Sequence, residues 1–159
     1  MIENFSKLEL TWRIRNGGSG RTRRDYLDFV VNGQSLHDLL KTGDNIGCLG
    51  WFPSSIEENI LEQLRTNLLS DLGNDRYPIY VCAECGDIGC GAITVQIEKT
   101  EQGYIWKNFG YENDYDESMS DFESYKEIGA FHFRESAYLE ALQSSQNPER
   151  RSRLSQNAS

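Results

Sequence analysis

Histidine is scarce in this chain, with 2 in 159 residues. Neither His37 nor His132 stands near a serine or cysteine in a G-x-S-x-G setting, so a hydrolase triad has no footing. No Walker loop occurs, and the G-x-G-like pieces do not open a helix within a βαβ unit, which leaves nucleotide binding without an anchor. The amino terminus, MIENFSKLEL, lacks an apolar run of signal-peptide length, and no window approaches the apolar span of a membrane helix. These absences predict a cytoplasmic protein, away from membranes, whose thiols are reduced. Carboxylates are abundant, and abundance singles out no acid/base pair. The chain is therefore expected not to be an enzyme.

The formal net charge is −9. Residues 1–24 contribute +4 and residues 148–159 contribute +2, so the −9 leaves −15 for the stretch between them. Such a body repels phosphates, which argues against nucleic acid and for a basic protein partner. Charge is densest from Glu112 to Glu127, where seven acidic residues face one lysine and Tyr115, Phe122 and Tyr125 are interleaved. Carboxylates around aromatic anchors suit capture of a basic surface, with Asp114, Asp116, Glu117, Asp121 and Glu123 as the candidate contacts. A solvated loop with its aromatics tucked inward is the structural alternative.

Leu8, Leu10, Trp12 and Ile14 alternate with polar residues, the period of a half-buried strand. DYLDFVV predicts a second strand ending at the turn dipeptide Asn32-Gly33. Ser35 caps a short helix through LHDLLK, and TGDNIGCLGWFP is irregular. Ser54 and Ser55 precede Glu57 and Glu58 as overlapping capping boxes, and Ile56, Ile60, Leu61, Leu64, Leu68 and Leu69 share one helical face. YPIYV, AITVQIEK and YIWKNFG predict three consecutive antiparallel strands; Phe131 and Phe133 a further one; and ESAYLEALQ a closing helix. The expectation is α+β: a mainly antiparallel sheet with two to three packed helices, one domain over residues 1–147, and a disordered tail over 148–159.

Three of the four cysteines fall within VCAECGDIGCG. Cys82 and Cys85 have C-x-x-C spacing before a glycine, Cys90 follows closely enough to bend back, and zinc needs a fourth ligand. There is no second C-x-x-C, so Cys48 is the best candidate, ahead of Asp87, His37 and His132. GDIGCG is a poor helix start, which argues against thioredoxin-like chemistry. A Cys82–Cys90 disulfide and a tight hairpin with small buried thiols both remain open.

At DYLDFVVNGQSL and YVCAECGDIGCGAITV, with Trp106 and Phe109 following and Phe131, Phe133, Tyr138, Ala141 and Leu142 near the end, the chain resembles a family of small, mostly uncharacterised bacterial cytoplasmic proteins sharing Y-V-C-x-x-C-G-D-x-G-C-G. In size, acidity and single-domain character it is also similar to immunity proteins of contact-dependent growth inhibition and related toxin systems. That second likeness implies a non-enzymatic protein that neutralises a basic toxin domain, such as a nuclease. The alternatives are a zinc- or thiol-dependent protein built on Cys82, Cys85 and Cys90, and a structural domain of a larger assembly.

Overall fold

Strands β1 (Leu8–Arg15) and β2 (Arg24–Val31) pair antiparallel along their whole length, from Leu8 opposite Val31 to Arg15 opposite Arg24. The computed structural model that shows this pairing describes residues 4–113 and 120–146. Asn32 and Gly33 both take positive φ, 53° and 80°, as a two-residue hairpin turn demands, and return the chain into β3 (Gln34–Ser35). Ser35 Oγ accepts from the Asp38 amide and caps α1 (Leu36–Leu40).

β4 (Asn45–Gly47) then opens a second, five-stranded antiparallel sheet, β4-β5-β6-β7-β8. Its other strands are β5 (Arg76–Cys82), β6 (Ala92–Lys99), β7 (Gly103–Glu112) and β8 (Phe131–Arg134). The two sheets meet where the Leu27 amide donates to the Leu49 carbonyl. Helices α2 (Ser54–Leu64) and α3 (Glu135–Gln143) complete a single α+β unit of the expected class. Trp106 of β7 donates to the Tyr138 hydroxyl, which donates to the Leu64 carbonyl, so one buried chain of hydrogen bonds ties sheet to both helices. No described helix is long and apolar enough to cross a membrane.

Three local expectations are corrected. Alternation in β1 ends at its last turn of pleat, where Ile14 is 39% exposed and Arg15 is buried. Charge pairing, set out below, outweighs the hydrophobic pattern there. Ser54 and Ser55 are the first two residues of α2 rather than its caps, Pro53 standing at the N-cap with no side-chain hydrogen bond; instead the buried Glu57 carboxylate accepts from the Gly50 and Phe52 amides and anchors the preceding loop. α2 also stops before Leu68 and Leu69. Thr66 turns left-handed, and the Gln63 side chain captures both the amide and the carboxylate of Asp71, folding the chain back and leaving Leu69 81% exposed.

A second buried network lies under β2. Asp28 accepts from the hydroxyls of Tyr80 and Ser35 and from the Arg13 guanidinium, so three donors compensate its burial. Burial and the Asp28 charge push the Tyr80 hydroxyl well above its ordinary pKa, which keeps it protonated as a donor.

Candidate metal centre

Cys82 is the last residue of β5, and the connection to β6 is a tight double turn. The Gly86 amide donates to the Cys82 carbonyl at 2.8 Å, and the Asp87 amide to Cys85 Sγ at 3.4 Å. Asp87 Oδ1 then accepts from the Gly89 amide and caps a 3-10 turn, Ile88–Cys90. Two glycines are required by space as well as by conformation. Gly86 sits at φ +72° with the Phe52 ring 2.6 Å from where a Cβ would stand, and Gly91 sits at φ +94° with the Tyr111 hydroxyl in that place.

These turns fold the three thiols together. The Sγ atoms of Cys82, Cys85 and Cys90 all lie within 4.8 Å of one another, and those of Cys85 and Cys90 are 3.1 Å apart. Cys82 is half-buried, whereas Cys85 and Cys90 are exposed.

The β1–β2 hairpin clamps this loop from outside. Glu84, between the first two cysteines, accepts from Arg15 at 2.7 Å and from the amide and hydroxyl of Thr22 at 2.9 and 2.7 Å. Arg15 also grips Asp44 in a two-pronged pair, which is why a guanidinium replaces the expected apolar residue as the buried one. Arg24 donates to the carbonyls of Ala83 and Glu84 and lies over the Trp51 ring, 4.6 Å from its centre. Trp51 stacks on Phe52, so the loop rests on an aromatic floor. Beside it a cleft of about 520 Å³ runs between α2 and β5, with Gly86 and Ile88 in its wall.

The thiols are electrostatically unequal. Burial opposes ionisation of Cys82, yet the amides of Cys85 and Glu84 and the thiols of Cys85 and Cys90 outweigh it and lower its pKa. Cys90 is pushed up to about 12, first by its hydrogen bond with Cys85 and then by desolvation and the neighbouring sulfurs. Without a cation Cys82 therefore ionises more readily than Cys90, which keeps its proton. A cation must displace that proton to gain all three ligands.

Cys48 does not join the cluster, which corrects the sequence-based expectation. Asn45 is opposite Cys82, and the Cys48 amide donates to the Ile79 carbonyl, so the strand pairing sets Cys48 three residues, or about 10 Å, from Cys82. Its thiol packs in the hydrophobic core, and burial pushes its pKa up. His132 lies on β8, three strands from β5 and so about 14 Å across the sheet. His37 packs against the rings of Tyr26 and Tyr80. Among the described residues, no other cysteine, histidine or carboxylate shares the three-sulfur cluster.

Of the acidic set, Asp114, Asp116 and Glu117 lie outside the described residues. Asp121 pairs its backbone with Tyr111 and accepts from the amide and hydroxyl of Ser124, while Glu123 pairs with Lys126. Phe122 between them is 45% exposed.

Sequence reasoning missed the clamp of Arg15, Thr22, Arg24 and Glu84. The Arg15–Glu84 contact spans 69 residues, and no local pattern signals it. Comparison with protein-family models, curated proteins and solved structures finds no match to the chain.

Proposed function

We propose that this chain is a thiolate metal-binding protein, that Zn²⁺ is the ion its donors suit, and that Cys82, Cys85 and Cys90 hold it. The observation that carries this is the convergence of three sulfurs within 4.8 Å from both ends of one connection. In a tetrahedral zinc centre, Zn–S bonds of about 2.3 Å put neighbouring sulfurs about 3.8 Å apart, so small side-chain rotations suffice. Soft thiolates select zinc or Cu(I) over magnesium or calcium. The Asp87 amide already donates to Cys85 Sγ, and such outer hydrogen bonds hold thiolate ligands in place.

Three thiolates around Zn²⁺ leave one negative charge, which the Arg24 guanidinium on the adjacent carbonyls offsets. The fourth position falls to a ligand beyond the described cysteines. Bound there, the ion would staple the β5–β6 connection and fix the wall of the neighbouring cleft. Titration with Co²⁺ tests this reading. Sulfur-to-cobalt charge-transfer absorption saturating at one ion per chain supports it, and an unchanged spectrum removes it.

A second reading, an immunity-type protein that captures a basic toxin domain, is favoured by the exposed Phe122 set between Asp121 and Glu123. The double variant Asp121→Lys, Glu123→Lys should release any basic partner that the wild-type protein retains at low salt. Retention unchanged by both reversals removes it.

A further inference from the structure

We propose that Cys85 and Cys90 are an oxidation site, closing to a reversible disulfide with hydroperoxides, and that this bond excludes the metal. The second half rests on the metal-binding reading; the first does not.

Proximity and access point to the same pair. Their sulfurs are 3.1 Å apart, so a disulfide of about 2.05 Å needs closure of about 1 Å. Both residues are exposed, and rotation of two side chains covers that distance without shifting either strand. Cys82 is half-buried at the strand end, and Cys48 is sealed in the core. The pair that closes is therefore Cys85–Cys90, not the Cys82–Cys90 pair that a hairpin drawing suggests.

The chemistry balances with a hydroperoxide as oxidant. Cys85 passes its proton to solvent as its sulfur reacts, and the Asp87 amide points at that sulfur. That sulfur attacks a peroxide oxygen, the O–O bond breaks, and the departing alkoxide takes a proton to leave as an alcohol. Cys85 now carries a sulfenic acid. The Cys90 sulfur attacks it, the S–O bond breaks, and the hydroxyl leaves as water with the Cys90 proton. Two thiols and one hydroperoxide become one disulfide, one alcohol and one water, two electrons having passed from sulfur to the peroxide.

Two of the three sulfurs are thereby removed as thiolate ligands. The loop closed is short, so the bond contributes less chain-entropy stabilisation than a long-range bridge would, and it acts locally. External thiols reverse it by exchange.

The test treats chelated, reductant-free protein with one equivalent of tert-butyl hydroperoxide and reads intact mass and the mapped bond. Wild type and Cys82→Ser should each lose two hydrogens, with the bond at Cys85–Cys90; Cys85→Ser and Cys90→Ser should form no intramolecular bond. Circular dichroism verifies that each variant is folded, and Cys85→Ala serves where serine perturbs the turn. In a parallel arm the zinc-loaded protein is oxidised, and released ion is read with a chromophoric chelator; one zinc per disulfide is expected, with rebinding after reduction. A bond mapped to Cys82–Cys90, or oxidation stopping at single cysteines, overturns the oxidation site. If the bond forms as stated but the protein never takes up zinc, the metal reading fails and the oxidation site stands. If zinc stays bound to the oxidised chain, mutual exclusion fails.

Discussion

Gly86→Ala is the sharpest perturbation of the metal-site loop. An L-residue in the left-handed region costs about 1–2 kcal/mol. The new Cβ would also stand 2.6 Å from Phe52, whose ring is held by its stack on Trp51, and overpacking of this kind adds about 1–3 kcal/mol. A metal-free loop can relax away from part of that strain, whereas a loop bound through cysteines on both sides of the glycine cannot. The difference should weaken zinc at least tenfold, the equivalent of about 1.4 kcal/mol. Gly73→Ala supplies the matched control, because Gly73 has the same φ of +72° with nothing within 4 Å. It should lose stability by the conformational cost alone and keep its zinc affinity. Adding Phe52→Ala to Gly86→Ala removes the obstacle and should restore part of the affinity. Competition against a chromophoric chelator measures the wild type and the three variants. Gly86→Ala and Gly73→Ala binding zinc within twofold of each other would refute the reasoning.

Zinc affinity should rise with pH. Cys90 carries a proton until about pH 12, so its displacement alone contributes tenfold per pH unit between pH 6 and 9, and Cys82 adds to the slope below its own pKa; chelator competition showing a flat profile would contradict coordination by Cys90. Glu84 is held at about 2, chiefly by the Thr22 amide and hydroxyl and then by Arg15, against about 4.3 in an unfolded chain. Its contribution to stability is therefore present above about pH 4.3 and lost as pH falls towards 2. Thermal melts of Glu84→Gln should show a shallower acid decline across that window, and curves parallel to wild type would count against the clamp. Tyr80→Phe takes one donor from the buried Asp28 carboxylate and should cost about 1–3 kcal/mol in urea denaturation; a loss below about 0.5 kcal/mol would mean the network is not coupled to folding.

Elements that carry their own period were readable from the chain. β1 follows alternation over its first half, β2 shows as an apolar run closed by its turn dipeptide, and α1 follows its serine cap, because in each the deciding interactions lie within a few residues. β3 and β4 are too short to show a period, and the second sheet begins at β4 inside a glycine-rich stretch that read as irregular. The end of α2 was set by Gln63 reaching Asp71, a side-chain choice that competes with continued helix and leaves no mark in hydrophobic spacing. At the candidate site the three converging cysteines were legible since one short motif contains them. Cys48 was not, because its placement depends on the β4–β5 register rather than on proximity in the chain. The clamp of Glu84 by Arg15 and Thr22 depends on partners more than 60 residues away.

A native mass spectrum of protein purified without chelator or added metal, repeated after zinc addition and for each cysteine variant, tests the metal centre most directly. The account predicts one zinc per chain, lost on chelation, regained on addition, abolished by Cys→Ser at Cys82, Cys85 or Cys90, and retained by Cys48→Ser. A wild-type chain that stays metal-free at excess zinc, or a Cys82, Cys85, Cys90 triple variant that still binds one ion, would contradict it.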